Sequence, residues 1–294
     1  MQVFKRPSLP ALLVRDYAFE WGSRTFVMGI INTTPDSFSG DGIGHDAERA
    51  ARNAVDFVAA GADLIDIGGE STRPGHQPVT EEEELRRVIP AIAAVRNAVN
   101  VPLSVDTFKP AVAVEAVAAG ADIINCVWGA VPGIVELAAR SSVPLIVMHN
   151  RVNSDYDGDC VSEVISSLDL ATRYAHDAGL PQEHIIVDPG IGFGKTPDHN
   201  VQIIARLQEF VERLPYPLLV GLSRKSFIGK ITGEPVEERA FGTAAAVALA
   251  VAGGADIVRV HDVAQMSSVV QVADAIVRVG AARAPQRLSA SRPL

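Results

Sequence analysis

GADLIDI at residues 61–67, GADIINC at 120–126 and GADIVRV at 254–260 repeat one pattern three times along the chain. Each copy has Gly-Ala-Asp, two apolar residues, one polar residue and a last apolar residue. An Ala-rich run of helical character precedes each copy, so its Gly stands where a left-handed cap would end a helix. The apolar run that follows is short and rich in β-branched residues, which predicts a strand buried on both faces.

The polar residue of the repeat falls at the same offset each time, as Asp66, Asn125 and Arg259. Residues two apart in a strand share a face, so Arg259 and His261 are expected to point the same way. Unlike polar side chains inside apolar strands are costly to bury without partners. The pattern therefore predicts that these side chains face a common ligand.

The rest of the chain alternates short apolar runs with amphipathic runs. The predicted strands are residues 26–31, 64–68, 103–106, 123–127, 145–148, 184–188, 218–222 and 257–261. The predicted helices are residues 46–60, 80–99, 110–119, 132–140, 161–178, 200–214, 236–252 and 263–279. Such alternation demands a parallel sheet, and eight near-equal units favour a closed (β/α)₈ barrel. The repeat forms strands two, four and eight, and alternate strands supply one layer of a barrel interior.

By length alone the chain could form two domains, but single α/β barrels routinely reach this size. Residues 1–280 are predicted to form one α/β barrel domain, with an N-terminal strand or hairpin over one barrel end and a flexible tail at 281–294. The net charge of −9 argues against nucleic-acid or membrane-surface binding. The chain lacks a long apolar run, and its two cysteines, Cys126 and Cys160, lack metal-site spacing. These features predict a cytoplasmic protein.

Polar residues gather where the predicted strands end, and barrel enzymes carry their chemistry at that end. They are Asn32, Asp66, Asp106, Asn125, Met148 with His149 and Asn150, Asp188, Lys225, and Arg259 with His261. Any one of them alone is better explained as a helix cap or a core ion pair. Their shared position at one rim favours an active site.

Three stretches have more than one interpretation. Gly194-Lys195-Thr196 resembles the end of a phosphate-binding P-loop, but that motif needs a Gly where this chain has Pro189. Lys225 has the character of a Schiff-base lysine, whereas its neighbours in SRKS (223–226) favour an anion seat at a helix N-terminus. The acidic run at 81–84 predicts a solvated helix start.

Six motifs in order carry a family resemblance. They are NTTPDSFS (32–39), DIGGESTRPG (66–75), SVDT (104–107), DPGIGFGK (188–195), SRKS (223–226) and RVH (259–261). Together they resemble the dihydropteroate synthase family of pterin-binding barrels, over residues 26–279. The resemblance implies a transferase of folate biosynthesis. Such enzymes condense 6-hydroxymethyl-7,8-dihydropterin pyrophosphate with p-aminobenzoate, giving 7,8-dihydropteroate and pyrophosphate.

The resemblance also implies a division of labour among the site residues. Those expected to bind the pterin are Asp106, Asn125, Val127, Met148, Asp188, Lys225 and Arg259. Those expected at the pyrophosphate are Asn32, Arg259 and His261, with Asn32 as ligand to Mg²⁺. Those expected at p-aminobenzoate are Thr72, Arg73, Pro74, Phe193 and Ser226. Catalysis is assigned to Asp106, Asp66, Lys225, Arg259 and His261, through a dissociative displacement at C9 that a buried carboxylate assists.

Two departures from the family pattern bear on activity. Cys126 replaces the Asp that usually follows the strand-four Asn, and Gly40 precedes Asp41 where the family more often has Asp directly. By alternation Cys126 should face away from Asn125. The alternative is a diverged pterin-binding paralogue that does not catalyse. The family forms homodimers that competitive sulfonamides inhibit, and the helix predicted at 236–252 is a candidate interface.

Overall fold

A computed structural model describes residues 8–34, 46–70 and 78–278. Two short strands form a hairpin, and the eight strands that follow them form the main sheet. The strands are β1 Leu12–Val14, β2 Tyr17–Phe19, β3 Phe26–Asn32, β4 Leu64–Gly68, β5 Leu103–Asp106, β6 Ile123–Cys126, β7 Leu145–Met148, β8 Ile185–Asp188, β9 Leu219–Gly221 and β10 Ile257–Val260. The predicted tail at 281–294 lies outside the described residues.

Helices follow the barrel strands and cover the sheet. They are α1 Ala47–Ala59, α2 Glu81–Ala98, α3 Pro110–Ala118, α4 Pro132–Ser141, α5 Cys160–Asp177, α6 Pro197–Ala205, α7 Leu207–Arg213, α8 Ser226–Thr232, α9 Ala240–Ala252 and α10 Val263–Val277. Short 3₁₀ turns lie at Gln182–His184 and Val236–Glu238. None of the helices in the described ranges is long and apolar enough to span a bilayer.

The sheet is all parallel and follows chain order from β3 to β8, while β10 lies between β3 and β9. A parallel bridge between Val187 and Leu218 joins β8 to β9, so the sheet closes on itself. The predicted (β/α)₈ barrel is confirmed. Because all eight strands run the same way, the side chains at their carboxyl ends meet at one rim.

The Gly-Ala-Asp repeat has a structural role at the opposite end of the barrel. Gly61, Gly120 and Gly254 have φ of 105°, 113° and 96°, which confirms the predicted left-handed caps. The Asp of each copy accepts a hydrogen bond from a backbone N–H of the neighbouring strand that precedes it in the chain, or of the residue just before that strand. Asp63 binds the N–H of Val27 at 2.9 Å, Asp122 that of Leu103 at 2.9 Å and Asp256 that of Leu218 at 2.7 Å. Each copy therefore ends a helix and fixes two adjacent strands.

The N-terminal strands form the predicted hairpin, since β1 pairs antiparallel with β2. Leu12, Val14 and Phe19 are buried in one cluster with the first inward residues of the barrel strands. Those barrel residues are Phe26, Met28, Leu64, Ile123, Ile146, Ile186, Leu219 and Ile257. The hairpin thus closes the amino-terminal end of the barrel with apolar side chains, and leaves the carboxyl end for polar ones.

Two predicted helices differ in the structure. The run 200–214 is two helices, because Arg206 leaves helical geometry at φ −121° and ψ 26°. Its guanidinium binds both Asp159 and Glu209, and these two ion pairs hold the chain at the break. The run 236–252 begins with a 3₁₀ turn and becomes α-helical only at Ala240.

Candidate functional site

A cavity opens at the carboxyl ends of the strands. Its lining residues are Asp106, Asn125, Val127, Met148, Asp188, Ile191, Phe193, Gly221, Lys225 and Arg259. All seven side chains predicted for the pterin lie in this set, and they come from the six strands β5 to β10 or the loops after them. Ile191 and Gly221 also line the cavity, although the sequence did not mark them.

An ion-pair network underlies the cavity and links the repeats. Arg259 Nε donates to Asp66 Oδ2 at 2.6 Å, and Arg259 Nη2 donates to Asp106 Oδ2 at 2.8 Å. Asn125 Nδ2 donates to the same Asp66 oxygen at 3.1 Å. Asp66 is fully buried below the cavity and does not line it. The three polar residues of the repeats therefore contact one another, and this network fixes the plane of the Arg259 guanidinium.

Two carboxylates of this network each have one oxygen that accepts no hydrogen bond from the described residues. Asp66 Oδ1 and Asp106 Oδ1 are buried and have no hydrogen-bond partner within the part of the chain that the structure describes. Burial raises the pKa of Asp106 to about 7, although the Arg259 charge opposes the shift. Burial raises the pKa of Asp188 to about 6, although the hydrogen bond from the Gly190 N–H and the Lys225 charge both lower it. Desolvated carboxyls with open acceptor atoms fit a ligand that brings its own N–H donors.

Phe193 and Lys225 form one wall of the cavity. The Lys225 ammonium lies 4.1 Å from the centre of the Phe193 ring. A cation over an aromatic face is an attractive contact, so this pair holds the Lys225 side chain at the cavity wall.

The SRKS loop is held in a strained conformation. Arg224 has φ of 55°, which is uncommon outside glycine, and its guanidinium binds both oxygens of Asp262 at 2.9 and 2.5 Å. Thr243 Oγ1 accepts the Arg224 N–H at 3.0 Å. The loop presents Lys225 to the cavity and begins α8 at Ser226, which is exposed.

The remaining predicted residues lie at the rim or outside the described ranges. Asn32 ends β3 beside Gly68, and a side chain at Gly68 would touch Asp106, so Asn32 shares the rim with the cavity. His261 directly follows β10, and its backbone N–H donates to Ser223 Oγ at 3.2 Å. Thr72, Arg73 and Pro74 lie outside the described residues, as does Asp41.

A buried ion-pair cluster near the rim was not predicted from the sequence. Glu84 is 1% exposed and shares the Lys109 ammonium with Glu70, so the prediction of a wholly solvated acidic run at 81–84 was wrong. Burial raises the pKa of Glu84 despite this contact. A periodicity count could have placed Glu84 on the buried face with Val88, but its partner Lys109 lies 25 residues away.

Cys126 lies away from the cavity, as alternation predicted. Its side chain is fully buried in the apolar core between the barrel and the helices. Burial raises the pKa of its thiol to about 11, so the group stays protonated near neutral pH. The substitution at this position therefore leaves the Asn125 face of β6 unchanged.

Comparison with known proteins agrees with this geometry. A profile of the family described as pterin binding enzyme matches residues 28–261. The chain belongs to the dihydropteroate synthase family of pterin-binding enzymes. It is therefore a transferase, and the resemblance inferred from the six motifs is confirmed.

Relatives of this family match along nearly the whole chain. The dihydropteroate synthase of Synechocystis sp. is 47% identical over 279 residues, which cover 92% of this chain and 96% of that protein. The Yersinia pestis enzyme, solved with a sulfonamide drug complex, has a TM-score of 0.85 at 39% identity and covers 91% and 98% of the two chains. The Burkholderia cenocepacia enzyme, complexed with 7,8-dihydropteroate, has a TM-score of 0.82 at 41% identity and covers 91% and 96%.

Proposed function

We propose that this protein is a working dihydropteroate synthase. It condenses 6-hydroxymethyl-7,8-dihydropterin pyrophosphate with p-aminobenzoate and releases pyrophosphate and 7,8-dihydropteroate. The observation that carries the proposal is the single cavity on which Asp188, Asn125 and Lys225 converge above the Arg259 network. A relative at 41% identity that holds 7,8-dihydropteroate supports the same conclusion.

The cavity matches the hydrogen-bonding edge of a pterin. A pterin presents two adjacent N–H donors, which one carboxylate accepts side by side, and we assign this contact to Asp188. Asn125 and Asp106 take other atoms of the ring edge, and Lys225 donates to the ring acceptors. The planar guanidinium of Arg259 stacks on the ring, while Val127 and Met148 supply apolar contact.

The diphosphate is assigned to the rim residues Asn32 and His261, with Arg259. Mg²⁺ usually keeps several waters and binds one or two protein oxygens together with substrate phosphates. The amide oxygen of Asn32 is a donor of this type, and no cluster of three His, Cys, Asp or Glu side chains competes for a metal in the described ranges. The donor set therefore fits an ion that the diphosphate itself mostly holds. When bound, Mg²⁺ would neutralise charge on the leaving group.

We propose that the displacement at C9 is dissociative. The C9–O bond breaks first, and its electron pair leaves with pyrophosphate, so that a cation spreads into the pterin ring. The buried carboxylates of Asp106 and Asp66 stabilise this cation electrostatically in a site with little water. The amine nitrogen of p-aminobenzoate then forms the new C9–N bond and loses a proton to solvent.

The second substrate is assigned to the outer part of the cavity. The ring of p-aminobenzoate packs on Phe193, and its carboxylate lies at Ser226 and the start of α8. Thr72, Arg73 and Pro74 of the neighbouring loop complete this pocket. Sulfonamides share the shape of p-aminobenzoate, so they are expected to compete for it, and the Yersinia pestis relative has been solved with a sulfonamide drug complex.

The decisive experiment measures pyrophosphate release with purified protein, both substrates and Mg²⁺. Release that depends on p-aminobenzoate and gives dihydropteroate supports the proposal. Thermal protection by pterin pyrophosphate without product would instead identify the non-catalytic paralogue. Covalent trapping of Lys225 by borohydride with a carbonyl substrate would favour the aldolase.

We also propose that the protein forms a homodimer through an apolar groove of about 630 Å³. The groove lies between α6, α8 and α9 and is lined mainly by Val201, Ile204, Phe227, Ile231, Ala245 and Leu249. Ile231 and Leu249 are 65% and 61% exposed, and exposed apolar patches of this kind mark interaction sites. Sedimentation should give a dimer mass that Leu249→Glu converts to monomer. A wild-type monomer at micromolar concentration would refute the proposal.

A further inference from the structure

The side chain of Lys195 joins two loops at the carboxyl rim, and the proposed mechanism does not use it. Its ammonium nitrogen donates to the carbonyl oxygen of Phe193 at 3.0 Å and lies 2.9 Å from His149 Nδ1. His149 follows β7, whereas Phe193 and Lys195 lie in the loop after β8. The amine is therefore a bridge between neighbouring loops of the barrel.

The charges of the pair define the direction of this hydrogen bond. Burial, with the nearby Lys195 and Arg151 charges, lowers the pKa of His149 to about 3. His149 is therefore neutral at neutral pH, and its Nδ1 accepts a hydrogen bond from the lysine in the tautomer whose ring hydrogen is on Nε2. Burial lowers the pKa of Lys195 to about 7, while the Asp188 carboxylate favours the charged form. Lys195 thus donates to both Phe193 and His149.

The loop after β8 is fitted closely against the loop after β7. Gly190, Gly192 and Gly194 all have positive φ, and a Cβ at Gly190 would lie 1.9 Å from the His149 carbonyl oxygen. Other polar contacts hold the loop along its length, including Gly192 N–H, which donates to Asn200 Oδ1 at 2.6 Å. Gly190 N–H donates to Asp188 Oδ1 at 2.7 Å, and Tyr156 Oη donates to the Gly194 carbonyl at 3.0 Å.

Phe193 is the residue whose placement these contacts decide. Its ring lines the cavity and carries the Lys225 ammonium at 4.1 Å. Its own carbonyl is bound by Lys195, so a change at Lys195 acts on the backbone that directs this ring. The Phe193 N–H donates to the Gly190 carbonyl within the same loop at 3.1 Å, so Lys195 supplies the bond that ties the other side of this peptide to the loop after β7.

We propose that Lys195, bonded to His149, is a positioning residue that sets the Phe193 ring for the second substrate. The inference rests on the proposed function, which assigns the p-aminobenzoate ring to Phe193. Lys195 itself touches neither substrate. Its loss should weaken p-aminobenzoate use, whereas the pterin contacts of Asp188 and Asn125, which come from strands, should persist.

The test compares Lys195→Met with Lys230→Met, a change at an exposed lysine of α8. We expect Lys195→Met to raise the KM for p-aminobenzoate about tenfold, as the loss of one positioning hydrogen bond would. The Kd of pterin pyrophosphate, measured by calorimetry at pH 8, where Asp188 stays ionised without the neighbouring Lys195 charge, should change by less than about twofold. Lys230→Met should leave both values unchanged. An unaltered KM in folded Lys195→Met, or an equal loss in both substrates, would overturn the proposal.

Two further variants test the route of the effect. His149→Phe removes the acceptor and should raise the same KM, which keeps the proposal testable if Lys195→Met does not fold. In a Phe193→Ala background, Lys195→Met should add no further increase, since residues that act through one group are not additive. Additive losses would contradict the route through Phe193. Failure of the wild type to form dihydropteroate would instead refute the proposed function, because every comparison begins from wild-type turnover.

Discussion

Replacing Asp188 by Asn tests the assigned pterin contact, because the shape of the side chain is kept while its charge and one acceptor are lost. Asp188 Oδ1 already accepts the Gly190 N–H at 2.7 Å. In the Asn variant that N–H would keep the amide oxygen, so the NH₂ group takes the place of Oδ2. A pterin N–H donor then faces another donor in a buried cavity.

The expected loss follows from this geometry. One ligand donor and one side-chain donor lose their partners, and each such buried group costs about 1–3 kcal/mol. The sum is about 2–6 kcal/mol, which corresponds to roughly 30-fold to 10⁴-fold weaker pterin binding. Calorimetric titration with pterin pyrophosphate and Mg²⁺ measures it, and Asp198→Asn, at an exposed position of α6, is the matched control. A change below threefold in folded Asp188→Asn would refute the assignment.

The pH dependence separates Asp188 from Asp106. Burial raises the pKa of Asp188 to about 6, so wild-type affinity should fall by about tenfold per unit as pH drops below that value. Asp106 titrates in both proteins and cancels in their ratio. Because protonated Asp188 also presents a donor, the ratio of wild-type affinity to that of Asp188→Asn should fall about tenfold between pH 8 and pH 5. A ratio that stays constant from pH 8 to pH 5 would contradict this account.

Three other changes probe the scaffold and the outer pocket. Asp63→Ala removes the acceptor of the Val27 N–H, the Tyr17 hydroxyl and the Arg24 guanidinium, and urea unfolding should show a loss of about 3 kcal/mol or more in the free energy of unfolding. Gly120→Ala should lower the melting temperature more than Gly179→Ala. Both positions have positive φ, 113° and 99°, but a Cβ at Gly120 would lie 3.0 Å from a side chain, whereas the space at Gly179 is open. Equal shifts in melting temperature would show that backbone strain alone causes the loss of stability. Arg73→Ala should raise the KM for p-aminobenzoate, whereas an equal loss of pterin affinity would contradict the assigned division between the two substrates.

The sequence predicted the positions of some site residues because these residues occur in a repeated motif. The offset of Asp66, Asn125 and Arg259 within one motif, together with the two-residue period of a strand, placed them on one inward face. The structure adds that they bind one another through the Asp66 carboxylate. The motif indicated a shared location, but only side-chain geometry shows which oxygen accepts from which donor.

Other contacts could not be read from spacing. In the sequence Lys195 is the end of the DPGIGFGK motif and of a stretch that only resembles a P-loop, and His149 is one more polar residue at a strand end. Their contact joins residues 46 apart in the chain, because parallel strands bring successive loops to the same rim. Glu84 likewise belongs to a run that the sequence predicts to be solvated, but in the structure it is buried in contact with Lys109. Pairings of this kind depend on how neighbouring loops pack, and no local pattern encodes them.

The amino-acid order alone determined the alternation of strands and helices, the closed parallel barrel, the end at which polar side chains collect and the family to which they belong. These follow from periodicity, glycine caps and motif order, which are local along the chain. Tertiary structure decided the break at Arg206, the closure of the barrel floor by the hairpin, and the charge environment of Asp106, Asp188 and Lys195. Burial and ion pairing depend on residues distant in sequence, so the energies that tune this site exist only once the barrel has closed.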